Sequence, residues 1–290
     1  MGMSVVVIIF LVLTWAYLYS QSAKKFKEML GLRMGGIKLQ KLAQPMLFIL
    51  DKIKIAGRFP LFFYKLQQSI TKLEGQRYSV DLAFLFIAEM MTYSWGIITL
   101  GAILSAIQGG DMTMLIISML LAIMLPVALY NDLSKKVIKR ERLILLELPE
   151  LLNKIILLVG AGSTVQQVIT QCLRRRENDR SHPLYKELFQ MQKDWEAGYS
   201  FQQALEAFSK RCGVQEVAVF STTLLLNYRR GGQDFVLSLK ELSHSLWEKR
   251  KTVSKTLGEQ ASSKLVFPMV FIFIALIILI GSPAFMIMNF

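Results

Sequence analysis

Few residues in this chain of 290 stand where they could do chemistry. Its two histidines, His182 and His244, could ligate a metal or act as bases, and its two cysteines, Cys172 and Cys212, could serve as thiolate ligands or nucleophiles. The spacing supports neither use. Glu241-Leu-Ser-His244 does not make a zinc-binding pair, and neither cysteine belongs to a C-x-x-C arrangement. Gly160-Ala-Gly162-Ser163 offers glycines but lacks the lysine that a phosphate-cradling loop needs. Serines and threonines cluster near helix starts, where a hydroxyl caps the helix before it acts as a nucleophile. The chain is expected to be no enzyme and to need no metal or cofactor, with both cysteines as small core residues of a reducing compartment.

The elements around these residues follow from how charge is distributed. With 53% hydrophobic residues and a mean hydropathy of +0.41, the chain is too apolar for an ordinary soluble protein of its size. All 34 Lys and Arg fall in two stretches, 12 between Ser20 and Asp81 and 22 between Asn131 and Lys264. The intervening blocks carry none. Residues 1–19, 82–107, 112–130 and 265–288 are each apolar over about the 20 residues that cross a bilayer. Val266 to Ile287 alone holds fourteen Val, Ile, Leu or Phe residues, worth about −4 to −8 kcal/mol of insertion free energy. The first block has no positive residue ahead of it and is followed by Lys24, Lys25 and Lys27, so it reads as an anchor rather than a cleaved signal.

Lys and Arg flanking membrane segments stay on the cytoplasmic side. Both basic stretches, residues 20–81 and 131–264, are therefore expected inside the cell, with both termini outside. The turn at Gln108 to Asp111, which contains Gly109 and Gly110, forms an external hairpin. The net charge of +13 then reports topology and attraction to anionic lipids. No nucleic-acid-binding module or basic-aromatic platform accompanies it. Glu89 is the one ionisable residue inside an expected span, where a charge at mid-bilayer would cost roughly 2.5 to 3.5 kcal/mol. It reads either as an interfacial, helix-packing glutamate or as a functional group that pairs with the positive end of a client helix.

Residues 20–81 read as an amphipathic helical hairpin. Leu39, Leu42, Met46, Ile49, Leu50 and Ile53 share one face, with Lys38, Lys41, Lys52 and Lys54 mostly off it. Gly57 and Pro60 break this helix before a second run, Leu66, Ile70 and Leu73. The aromatic cluster Phe59, Phe62, Phe63 and Tyr64 suits either a membrane surface or the larger cytoplasmic domain. That domain, residues 131–264, contains an internal repeat. Gly162-Ser-Thr-Val-Gln-Gln-Val-Ile169, Gly198-Tyr-Ser-Phe-Gln-Gln-Ala-Leu205 and Gly232-Gln-Asp-Phe-Val-Leu-Ser-Leu239 share one pattern. In each, glycine closes a helix and Thr164, Ser200 or Asp234 caps the next. Gln167 and Gln203 complete capping boxes in the first two copies; Leu237 stands there in the third.

Between these points lie apolar runs of helical period, such as Leu148, Leu151, Leu152, Ile155 and Val159. Later helices are expected from near Thr164, His182-Pro183, Ser200, Val214 and Asp234. The fold class is therefore all-α: four transmembrane helices and a cytoplasmic bundle of about six helices, the last running into the final span.

Three segments carry a family resemblance. Leu148-Pro-Glu-Leu-Leu-Asn through Val159-Gly-Ala-Gly-Ser, the motif Gly198 to Leu205, and Arg250 through Glu259-Gln-Ala-Ser-Ser-Lys264-Leu-Val-Phe-Pro268 resemble the type II secretion system protein F domain. More narrowly, they are similar to the TadC-type proteins of the tight-adherence (Flp) pilus. Gly281-Ser-Pro283-Ala284 is similar to that family's Gly-Pro-Ala ending, with a serine inserted. The likeness covers residues 143–290; the amino-terminal half shares the hydropathy layout. It implies an inner-membrane platform onto which a hexameric secretion ATPase docks, so that pilin subunits are lifted from the membrane. It also implies a second platform protein of similar fold and a homo- or hetero-oligomer. Arg250, Glu259, Lys264 and Pro268 match the segment before the last span and are candidate coupling residues, with a plain juxtamembrane charge ladder as the alternative. A small transporter, or a membrane scaffold unconnected to pili, are the competing classes.

Overall fold

The computed structural model describes residues 2–22, 42–53, 55–75, 79–109, 112–176, 181–228 and 233–288. Lys24, Lys25, Lys27, Lys38, Leu39, Lys41, Lys54, Gly110, Asp111 and Gly232 lie outside them. The described residues are helical, with no strand among them. The order is α1 (Gly2–Ser22), α2 (Gln44–Ile53), α3 (Ile55–Arg58), α4 (Pro60–Glu74), α5 (Ser79–Ile107), α6 (Met112–Gly160), α7 (Val165–Arg175), α8 (Pro183–Glu196), α9 (Phe201–Cys212), α10 (Gln215–Tyr228) and α11 (Gln233–Met288). They form two compact units, residues 1–141 and 142–290, divided within α6.

Three helices among the described residues are long and apolar enough to cross a membrane: α5, α6 and the Phe235–Gly281 part of α11. In α1 the described apolar stretch is shorter, Ile8–Ser22. The apolar side chains from Leu265 to Ile280 stand exposed along α11. In water such a surface would drive aggregation, and in lipid it needs no cover.

In the first unit α1, α2 and α4 pack on α5. Met46, Leu47 and Leu50 of α2, Phe63, Leu66 and Ile70 of α4, and Leu82, Leu85 and Ala88 of α5 share one core. Trp15 of α1 stacks on Trp95 of α5 with ring centroids 6.3 Å apart. The expected break at Gly57 and Pro60 is present, with Gly57 itself inside α3. The chain turns at Phe59, which takes φ −131° ahead of Pro60 at the first position of α4. This is the effect of proline on its predecessor, which it pushes out of the helical region.

α5 and α6 approach closely through small residues. Ser94 Oγ donates to the carbonyl of Ala122 at 2.9 Å, and Ala102, Ser105, Ser118 and Ala122 are buried. A side chain at Gly101 would collide with Cβ and Oγ of Ser118. Small residues are what lets two apolar helices touch backbone to backbone in lipid.

The second unit is built on one core. Ile144, Leu148, Leu151, Leu152 and Ile155 of α6 meet Val168 and Ile169 of α7, Leu184, Leu188 and Met191 of α8, Leu205 and Phe208 of α9, Val217 and Phe220 of α10, and Leu239 and Leu246 of α11. Cys172 and Cys212 are buried in it, and burial pushes the Cys172 thiol above its ordinary value. That position suits a small core residue.

Gly101→Ala is expected to lose about 1 to 3 kcal/mol of stability through overpacking, seen as a lower melting temperature of the purified protein in detergent. Adding Ser118→Gly should restore it. An unchanged Gly101→Ala melting curve would show that the two helices do not meet here.

Candidate functional site

The glycine-and-cap repeat is built as follows in its first two copies. At the end of α6, the Gly162 amide donates to Val159 O at 2.9 Å and the Ser163 amide to Leu158 O at 3.1 Å. After α8, Gly198 donates to Trp195 O at 3.0 Å and Tyr199 to Asp194 O at 3.2 Å. These paired bonds satisfy carbonyls the helix end leaves open, and they need a left-handed residue. Gly162 and Gly198 supply it with φ of +92° and +98°. Thr164 Oγ1 then accepts from the Gln167 amide at 3.4 Å while Gln167 Oε1 accepts from Thr164 N at 3.1 Å. Ser200 and Gln203 do the same at 3.2 and 3.1 Å. In the third copy Gly232 lies outside the described residues, and Asp234 is already the second residue of α11.

The candidate coupling residues all lie on α11, which continues from the core through Leu246 to the apolar span without interruption. The Arg250 guanidinium lies over the Trp247 indole, 4.8 Å from its centroid. Glu259, Lys264 and Pro268 are exposed. They are strung along the helix rather than gathered into a site. Pro268 has no N–H, so the Lys264 carbonyl one turn earlier has no helical donor and is left to solvent or a partner. Among the described residues, contacts along this segment include Arg142 Nη1, which donates to Gln260 Oε1 at 3.4 Å, and Lys249 Nζ, which pairs with Glu216 of α10 at 2.8 Å. Deeper in the unit, Ser243 Oγ donates to Asn153 Oδ1 of α6 at 2.5 Å.

Glu89 is only 4% exposed, on α5 in the first unit. Its Oε1 accepts from the Tyr93 phenol one turn on at 3.1 Å. Its carboxyl is therefore within the packed helices and not against lipid.

Two polar networks carry no signature in the sequence. Arg176 Nη2 donates to Glu147 at 3.0 Å and Glu150 at 3.1 Å, both on α6. The Tyr185 hydroxyl of α8 donates to Glu147 at 2.7 Å, and Lys154 to Glu150 at 2.8 Å. Burial and the Glu147 bond raise the Tyr185 phenol well above its ordinary value. The second network joins α8 to α9: Arg211 Nε donates to Glu187 and Nη1 to Asp194, each at 2.9 Å. The spacing of Glu147, Glu150 and Lys154 on one helix face was visible in the sequence; their partners, many residues away, were not. Among the described residues no group of His, Cys, Asp or Glu is placed to hold a metal.

A helical domain whose last helix continues as an exposed apolar span is built as a membrane-anchored domain. Residues 151–283 match the family model of the type II secretion system (T2SS), protein F. The matched segment takes in the end of α6, α7 to α10 and most of α11. No curated protein and no solved structure matches the chain.

Thr164→Ala and Ser200→Ala should each cost about 1 kcal/mol, measured as a shift in the denaturation midpoint of the purified protein. The two losses should add, since the caps share no partner; no loss in either would remove the capping boxes. Glu150 is held below its ordinary range, first by the Lys154 hydrogen bond and then by the nearby Arg176, against the opposing effect of burial. Its carboxylate therefore contributes stability above the unfolded pKa and loses it as pH falls through the lowered folded value. Glu150→Gln should flatten the acid side of the stability profile without changing its shape above neutrality. A profile that keeps its acid slope would show that Glu150 is not a source of it.

Proposed function

We propose that the protein is an inner-membrane platform of a Tad/Flp-type pilus or a type II secretion-like machine, coupling a cytoplasmic hexameric ATPase to the extraction and assembly of pilin subunits. The observation that carries this reading is α11, a single 56-residue helix that begins in the core of the protein F domain and ends as an apolar span. A displacement of the domain reaches the membrane through that helix without crossing a loop. The chain shows no phosphate-binding loop, so in this reading the energy comes from the partner.

In the same reading α1, α5, the first part of α6 and the end of α11 cross the membrane as four spans. Residues 131–264 form a six-helix cytoplasmic bundle, and both termini face outward. Arg250, Glu259 and Lys264 offer charges on the exposed segment to the ATPase or to a second platform protein. Pro268 frees a carbonyl at the level where the helix enters lipid. Glu89, with Tyr93 beside it, braces the packed helices from which pilin would be drawn. The basic stretches hold the protein against anionic lipid.

The full protein in lipid nanodiscs should bind the secretion ATPase and raise its turnover. Thr256→Pro, placed in the exposed segment and costing about 3 kcal/mol of helix stability, should leave ATPase binding intact and abolish pilus assembly in cells. The reading is wrong if a folded protein does not bind the ATPase. Normal piliation with Thr256→Pro would remove α11 as the route of coupling.

A further inference from the structure

The exposed aromatic residues at the start of α4 are placed at one level of the first unit by ring contacts with α5 and α6. Phe63 packs on Phe84 of α5 with centroids 4.9 Å apart, and Phe62 on Tyr130 of α6 at 5.6 Å. At a rise of roughly 1.5 Å per residue, Phe84 lies about 35 Å along α5 from Ile107, and Tyr130 about 27 Å along α6 from Met112. Both distances are close to the hydrocarbon thickness of a bilayer, about 30 Å. If the turn between α5 and α6 is at one face of the membrane, Phe84 and Tyr130 mark the other.

The direction of α4 follows from its far end. Lys72 Nζ pairs with Glu141 of α6 at 2.7 Å, and Gln67 donates to Ser79 Oγ at the beginning of α5 at 3.5 Å. From Phe62 to Lys72 the helix therefore advances alongside α6 from Tyr130 to Glu141. Along α5 it runs antiparallel, from Phe84 back to Ser79. Thus α4 does not lie flat. It stands beside α5 and α6, with Pro60 at the membrane level and Glu74 farthest from it.

The outward face of α4 changes character along this path. Leu61 is 79% exposed, Tyr64 64%, and Phe59, just before the helix, 61%. One turn farther from the membrane level the same face presents exposed Gln68, and Lys65 lies between. Arg58 precedes the cluster and is also exposed. Large apolar groups exposed only at the lowest turn, with cations next to them, match the chemistry of the headgroup and acyl boundary.

We propose that Phe59, Leu61, Phe62 and Tyr64 form a wedge that inserts into the lipid interface, with Arg58 and Lys65 on the anionic headgroups. The wedge anchors the tip of α4 and so fixes how deep the first unit sits. It rests on the reading of α5 and α6 as membrane spans.

The test uses the full chain with Cys172→Ala and Cys212→Ala, reconstituted in phosphatidylcholine–phosphatidylglycerol vesicles. Nitroxides are attached at Leu61→Cys or Tyr64→Cys, with Leu120→Cys within the apolar block of α6 and Gln68→Cys as references. Collision rates with oxygen and with a water-soluble nickel chelate report depth. At 61 and 64 oxygen should exceed nickel several-fold, with a depth between those of positions 120 and 68. Nickel access equal to that at 68 would place the tip in water and overturn the wedge. Closure to both reagents would show protein over the patch and overturn it equally. In either case a deep reading at 120 leaves the spanning reading intact. A water-exposed reading at 120 would bring down the spans and the wedge together.

Discussion

In hydrocarbon every backbone N–H and C=O must find its partner within the chain, and an unpaired one costs several kcal/mol. That demand explains why the apolar blocks are helices and why two of them do not stop where their apolar residues stop. A helix ended at the membrane surface would leave up to four carbonyls or four amides to be capped. α6 continues past Tyr130 as far as Gly160, and α11 is helical from Gln233 to Met288. The caps are displaced to positions in polar surroundings. Gly162 and Thr164 then do for α6 and α7 what Gly198 and Ser200 do for α8 and α9.

The same demand gives Pro268 its meaning. A proline inside a helix withdraws one donor, which in the middle of a span would leave a carbonyl in lipid unless a neighbour supplied a bond. At Pro268 the affected carbonyl is that of Lys264, the last charged residue before the apolar run, where water and headgroups can bond it. A proline at this place weakens the helix locally, at a level where the freed carbonyl has other donors within reach.

How much of this was legible depended on the range of the interaction. Capping is local, since Thr164 and Gln167 or Ser200 and Gln203 are three residues apart, and a linear pattern contains the whole device. Span-length apolarity is likewise a property of consecutive residues, although α1 shows the limit, its described apolar stretch being shorter than the other three. Of the two expected helix breakers, Pro60 acts and Gly57 does not, for a physical reason. Glycine weakens a helix by only about 1 kcal/mol, whereas proline changes what its neighbour can adopt, and the chain turned at Phe59. The Arg176 and Arg211 networks were illegible because their partners are chosen by tertiary packing. A sequence shows an arginine and several glutamates without showing which pair will be desolvated together.

Glu89 combines both kinds of information. That it lies in an apolar block is evident from the sequence, and a lone carboxyl facing lipid there would be costly. The structure removes that cost by turning it inward, to 4% exposure, with the Tyr93 phenol one turn away. The pair lies on a stretch of α5 where Ala88, Met90 and Thr92 are also buried, on the helix against which α1, α2 and α4 pack. A hydrophobic side chain of the same size would pack there with less desolvation. A carboxyl kept at this position therefore carries a desolvation cost that its hydrogen bonding must offset.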